Sequence, residues 1–145
     1  MLFRSHRYHG AMEAMDAAGV PFDEDRYVDT RFSLRGAYES AMNFFARKPD
    51  TTAVFAMSDT VAMGVIRALQ DMGRKVPDDV SVVGYDGIEM GKYFIPRLTT
   101  VAQPIDDIAR ESVTMLMDML QGGAPKHIAV DAELIIRESV SPAQI

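Results

Sequence analysis

Apolar residues recur along this chain with two different periods, and the alternation between them predicts its elements. In residues 5–18 the apolar positions Tyr8, Ala11, Met12 and Met15 fall three to four apart, as on one face of a helix, and Gly19-Val20-Pro21 ends the run. Residues 26–29 read as a weak strand. Ser33 is placed to cap a helix reaching about Arg47, with Leu34, Ala37, Tyr38, Ala41, Phe44 and Phe45 as its apolar stripe. Residues 53–57 and 80–84 are short apolar runs of the buried-strand type. The helix between them places Val61, Ala62, Val65, Ile66, Leu69 and Met72 on one face, and Gly73 and Pro77 end it. Glu89 to Phe94 reads as a turn or short helix and residues 98–102 as a strand. Pro104 fits the first position of a last helix, with Asp106 and Asp107 near its positive end. That helix should turn Ile105, Ile108, Ala109, Val113, Leu116 and Leu120 inward and stop at Gly122-Gly123. Two short strands, at 126–130 and 134–137, complete the reading.

Two buried strands joined by a helix form a βαβ unit, so the strands at 53–57 and 80–84 should be parallel with a right-handed crossover. The expected fold class is α/β, three layers with a mostly parallel sheet flanked by helices. In such sheets the ligand crevice lies just past the carboxyl ends of the strands. The polar residues there are Ser58 and Asp59 after the first strand and Asp86 after the second. The chain opens into a helix rather than a strand, which suggests that a first strand, and more, precedes it in a longer protein.

Composition narrows the function classes. At 145 residues the chain is long enough for one domain with a core. A net charge of −6 argues against this chain gripping a phosphate backbone by itself. Without cysteine there is no disulfide, thiolate nucleophile or cysteine metal site. No apolar run is long enough to span a membrane, and the N-terminus lacks the apolar core of a secretion signal, so the expected location is cytoplasmic. No G-x-S-x-G elbow, phosphate loop or G-x-G-x-x-G fingerprint is present. His6 and His9 lie three apart on a helix, far in sequence from His127, and read as surface residues rather than metal ligands. Asp78-Asp79 are turn residues after Pro77, and the methionines fall on helix faces as packing. The expectation is a binding protein without catalysis, cofactor or metal.

AVFAMSDTVAMGVIRALQDMGRKVPDDVSVVGYDG, then PRLTTVAQP, then ELIIRESVSP, resemble in order the C-terminal part of the LacI/GalR family of bacterial transcription regulators. The likeness extends from about Ser5 to Pro142. It implies an effector-binding core shaped like a periplasmic sugar-binding protein, here lacking the helix-turn-helix headpiece, its hinge helix and most of the first core subdomain. It also implies an organisation in which 1–100 form the C-terminal effector-binding subdomain without its first strand. Residues 101–123 would cross into the other subdomain, and 124–145 would return. The implied partners are a small-molecule effector (a sugar first, a nucleobase second), a second copy of the chain, and operator DNA reached only through the missing headpiece.

The resemblance also assigns effector contacts. The family's arginine three residues before a glycine falls on Arg7, whose guanidinium can fork onto two hydroxyls or a carboxylate. Without the resemblance, Arg7 reads as a solvated helix residue. The family's stacking aromatic falls on Phe32, which equally suits a hydrophobic staple. A family glycine five residues later is Ala37 here. Ser58 falls where the family contacts a sugar hydroxyl. Asp59 beside it is read as structural, since a helix start favours a carboxylate whatever the function. Asp86 of GYDG is the family's repeated effector contact, able to accept from two hydroxyls or a purine N–H; its plainer reading is an Asx turn with Gly87. Asp86 and Arg7 rank first, Phe32 and Ser58 next, Asp59 last.

Two other readings remain open: a solute-binding protein of a transport system, and a dimerising remnant that binds nothing. With the other subdomain absent, the stripe of the last helix loses its usual cover. It should then fold back onto its own domain or pair with a second chain.

Overall fold

The computed structural model describes residues 2–21 and 23–142, residues 2–5 as backbone only. Helix α1 spans Leu2–Ala17, α2 Leu34–Arg47, strand β1 Ala53–Phe55, α3 Asp59–Asp71, β2 Ser81–Asp86, β3 Thr99–Ala102, α4 Ile105–Leu120 and β4 Glu133–Ile135. Their order in the sheet is β1-β2-β3-β4. The first two pairings are parallel, with Val54 opposite Val82 and Gly84 opposite Thr100, and β4 closes the far edge antiparallel, Ile135 opposite Thr100.

The core lies between α2, α3 and one face of the sheet. Ala37, Ala41, Phe44 and Phe45 meet Val61, Ala62, Val65, Ile66 and Leu69, and Val80, Val82 and Leu98 close the layer from below. Each large apolar side chain buried there contributes about 1.5–3 kcal/mol. The two helices approach closely because Gly64 has no side chain: a Cβ there would lie 2.5 Å from the Leu34 carbonyl oxygen and 2.7 Å from the Ala37 Cβ. Side chains alternate across a strand. Gly84 faces α3, so Tyr85 faces the opposite side, and there the Arg7 guanidinium of α1 lies over its ring. Helices thus flank both faces of the sheet.

The tail is fastened between β2 and β3. Buried Ser139 accepts the Thr99 N–H at 2.8 Å and donates to the Val82 carbonyl at 2.6 Å, while its own carbonyl accepts the Val82 N–H at 2.7 Å. Arg97 and Glu138 pair at 2.8 Å beside it.

Several expectations need correction. Residues 26–29 form no strand: a 3-10 turn, Glu24–Arg26, is capped by Asp23, and Arg26 is drawn to Asp50 and Thr51 at 2.8 Å each. Leu34 is exposed, at the very start of α2 where the stripe has not yet turned inward. Residues 126–130 are not a strand, because they lie along α4 rather than beside any strand of the sheet. The stripe of α4 does not turn inward: Val113 is 60% exposed and Leu120 74%. Among the described residues, the 126–130 segment runs against it and lines a groove with Ile108, Met115 and Leu116. Pro104 stands one position before α4, as its N-cap.

Candidate binding site

Because β1 and β2 are parallel neighbours, their carboxyl ends deliver Met57-Ser58-Asp59 and Tyr85-Asp86-Gly87 side by side. Ser58 caps α3, its Oγ accepting the Val61 N–H at 3.2 Å. Asp59 begins α3 and is fully buried. Its Oδ1 accepts the Thr100 hydroxyl at 2.5 Å and its Oδ2 the Ile88 N–H at 2.8 Å. Gly84 makes room for it, since a Cβ there would collide with that Oδ1 and sit 3.0 Å from a Leu98 methyl. Asp59 therefore ties α3, the loop after β2 and β3 into one corner.

Asp86 is the last residue of β2 and holds a backbone φ of +122°, unusual for any residue but glycine. Its Oδ1 accepts the Gln103 side-chain amide at 2.7 Å, and its carbonyl accepts the Gln103 N–H at 3.2 Å. The same Oδ1 lies 3.5 Å from Arg7 Nη2. Burial pushes the Asp86 carboxyl above its ordinary value, against the opposing pull of the Gln103 hydrogen bond and the Arg7 charge. Arg7 itself donates from Nη1 to the Met57 carbonyl at 2.5 Å and lies 3.7 Å above the Tyr85 ring centroid. The result is a desolvated carboxylate and a fixed guanidinium that both remain partly open, at 29% and 18% side-chain exposure.

The structure thus brings Arg7 and Asp86 together and turns Ser58 and Asp59 inward beside them. Phe32 enters none of these contacts. Its ring is half exposed on a turn where Arg31 and Phe32 both take left-handed angles, just before Ser33 caps α2. Sequence reasoning missed Tyr85 and Gln103, although both sit inside motifs it singled out. Alternation along β2 was the available signal for Tyr85; nothing local pointed from Gln103 to Asp86. Among the described residues, no group of three or more metal-ligating side chains gathers, and no helix is long and apolar enough to cross a membrane.

The chain matches the family model of a periplasmic binding protein-like domain over residues 4–140. It is 36% identical over 134 residues to the HTH-type transcriptional regulator MalR of Clostridium butyricum, covering 92% of this chain and 40% of that protein. Among solved structures, the complex of the transcriptional regulator CelR with cellobiose superposes with a TM-score of 0.88 at 35% identity, over 92% of this chain and 41% of that one. A LacI family regulator from Enterococcus faecium with bound ribose superposes at 0.85 and 32% identity, over 95% of this chain and 52% of that one. The chain spans about two-fifths of the length of the curated relatives it matches.

Proposed function

This chain belongs to the periplasmic binding protein-like domain family, as part of the effector-binding core of a LacI/GalR-type regulator, and from that premise we propose that it binds a small polyhydroxylated ligand, a sugar before a nucleobase, at Arg7 and Asp86. The observation that carries the reading is the Arg7–Asp86 pair at the carboxyl ends of two parallel strands, partly open and anchored from behind. An ionised carboxylate accepts hydroxyl protons, a guanidinium donates along its edge, and neighbouring sugar hydroxyls present both needs at once. Ser58, buried with its Oγ capping α3, would have only its hydroxyl proton to offer a ligand, and Phe32 an apolar face, while Asp59 holds the corner without touching ligand. The cellobiose and ribose bound by two similar regulators support a sugar.

The same proposal divides the chain into an effector-binding part (1–100), a crossover part (101–123) and a return (124–145). It includes pairing with a second copy, for which the exposed Met90, Tyr93 and Ile95 offer an apolar surface. It also includes a cytoplasmic location, and operator DNA contacted through a separate headpiece, with ligand shifting the balance between two states of the core. It is a binding function and not a catalytic one, in keeping with relatives named as regulators.

A thermal-shift and calorimetric screen against cellobiose, ribose and free nucleobases tests it. A ligand that binds only the folded state stabilises by about 2.7 kcal/mol at a hundred times its Kd. A melting shift with one of these that disappears in Asp86→Ala is the expected result. A shift of equal size in wild type and Asp86→Ala, or no shift with any compound, would overturn the assignment.

A further inference from the structure

Among the described residues Arg7 is held on three sides, and only two of them use its hydrogen-bond donors. Met57 accepts from Nη1, Asp86 lies 3.5 Å from Nη2, and the third side is the Tyr85 ring, 3.7 Å from the guanidinium carbon. We propose that Tyr85 is a positioning residue, which sets the plane of the Arg7 guanidinium and so the direction in which its free N–H groups point.

The geometry makes the ring suited to this task. A guanidinium is planar, with its donors all in that plane, and a ring beneath its face attracts it without using any of them. A carboxylate or carbonyl holding Arg7 from its edge instead would consume one or two donors that a ligand could take. Tyr85 and Asp86 are also consecutive residues of β2, and the φ of +122° at Asp86 breaks the strand's alternation, so both side chains reach Arg7. The strand supports Arg7 from one face through Tyr85 and brings the carboxylate to its edge through Asp86. The strand therefore contributes to placing both ligand-reading groups, while α1 carries Arg7 and the Met57 carbonyl holds its edge. An aliphatic residue at 85 would fill space but would not fix the plane, because it lacks the negative ring face.

The first readout needs no ligand. The Arg7 Nε–Hε resonance, assigned by its loss in Arg7→Lys, should be displaced by the ring current in wild type and in Tyr85→Phe. It should return to the position of an unstacked arginine in Tyr85→Leu. Tyr85→Met serves as a second ringless variant, should Leu unfold the domain. An unchanged Arg7 resonance in a folded ringless variant, or a Tyr85→Phe spectrum like that of Tyr85→Leu, would overturn the proposal. The second readout rests on the ligand reading above. Titration with cellobiose and ribose should find Tyr85→Phe near wild type and Tyr85→Leu weaker by about tenfold. If neither sugar binds wild type, the sugar reading fails while the resonance still decides the role of Tyr85. Equal affinity in Phe and Leu variants would count against the positioning role.

Discussion

Phe32 holds a backbone angle that a bulky L-residue avoids: its φ is +50°, directly after Arg31 at +52°. A left-handed non-glycine residue costs about 1–2 kcal/mol, and such strain gathers where a side chain must be presented. Asparagine tolerates this conformation, so Phe32→Asn should unfold at equal or higher denaturant, by up to about 1 kcal/mol, while binding cellobiose or ribose about tenfold more weakly if the ring stacks on ligand. A loss of stability without a change in affinity would make Phe32 a loop anchor instead. Asp86 shows the same opposition of stability and function. Its carboxyl titrates above the ordinary 3.8, chiefly through burial. Between 3.8 and the raised value the folded state therefore binds more protons than the unfolded chain, and stability falls as pH rises through that window. Asp86→Asn should melt higher than wild type at neutral pH, and the difference should vanish at pH values below both. Parallel melting curves across pH check the sign; an advantage that grows on acidification would contradict it.

Among the elements, the corner where β2, β3 and α3 meet carries the site. Asp59 is the common partner, and it fits only because β2 has glycine at position 84. Gly84→Ala pushes a methyl into its carboxylate and against Leu98, displacing a buried charge from the Thr100 hydroxyl and the Ile88 N–H. The expected destabilisation is about 2–4 kcal/mol by denaturant titration, with weakened ligand binding because Asp86 follows two residues later. A change below 1 kcal/mol would mean the corner relaxes around the methyl. Much of this element plan was legible beforehand. The α3 stripe, the Ser33 cap and the parallel β1–β2 pair follow from period, cap chemistry and chain direction. The strands that failed did so for want of neighbours: a strand is stable only when another takes up its backbone groups. Local propensity at 26–29 and 126–130 could not supply one.

For the whole molecule, the open question is the apolar face of α4. Val113, Leu116 and Leu120 lie in solvent, at 60%, 56% and 74% exposure, on a helix with no buried residue. Replacing Val113 with Lys and Leu116 with Glu should therefore change the unfolding free energy by no more than about 0.5 kcal/mol, while reducing dye binding and concentration-dependent association in light scattering. A loss of several kcal/mol would show that the stripe is covered in solution.

What the sequence determined by itself is what short-range chemistry controls. Helix faces, caps, the parallel sheet, and the placing of Ser58, Asp59 and Asp86 at strand ends all depend on residues a few positions apart. The tertiary structure alone decided which of those groups meet. Arg7 reaches the Met57 carbonyl across 50 residues, and Thr100 reaches Asp59 across 41. Tyr85 lies beneath Arg7 because α1 crosses the sheet face that α3 leaves open, and Gln103 takes Asp86 because β3 runs beside β2. A sequence pattern gives the direction of a side chain from its own element. Its partner across the sheet depends on how whole elements stack, and no local pattern encodes that.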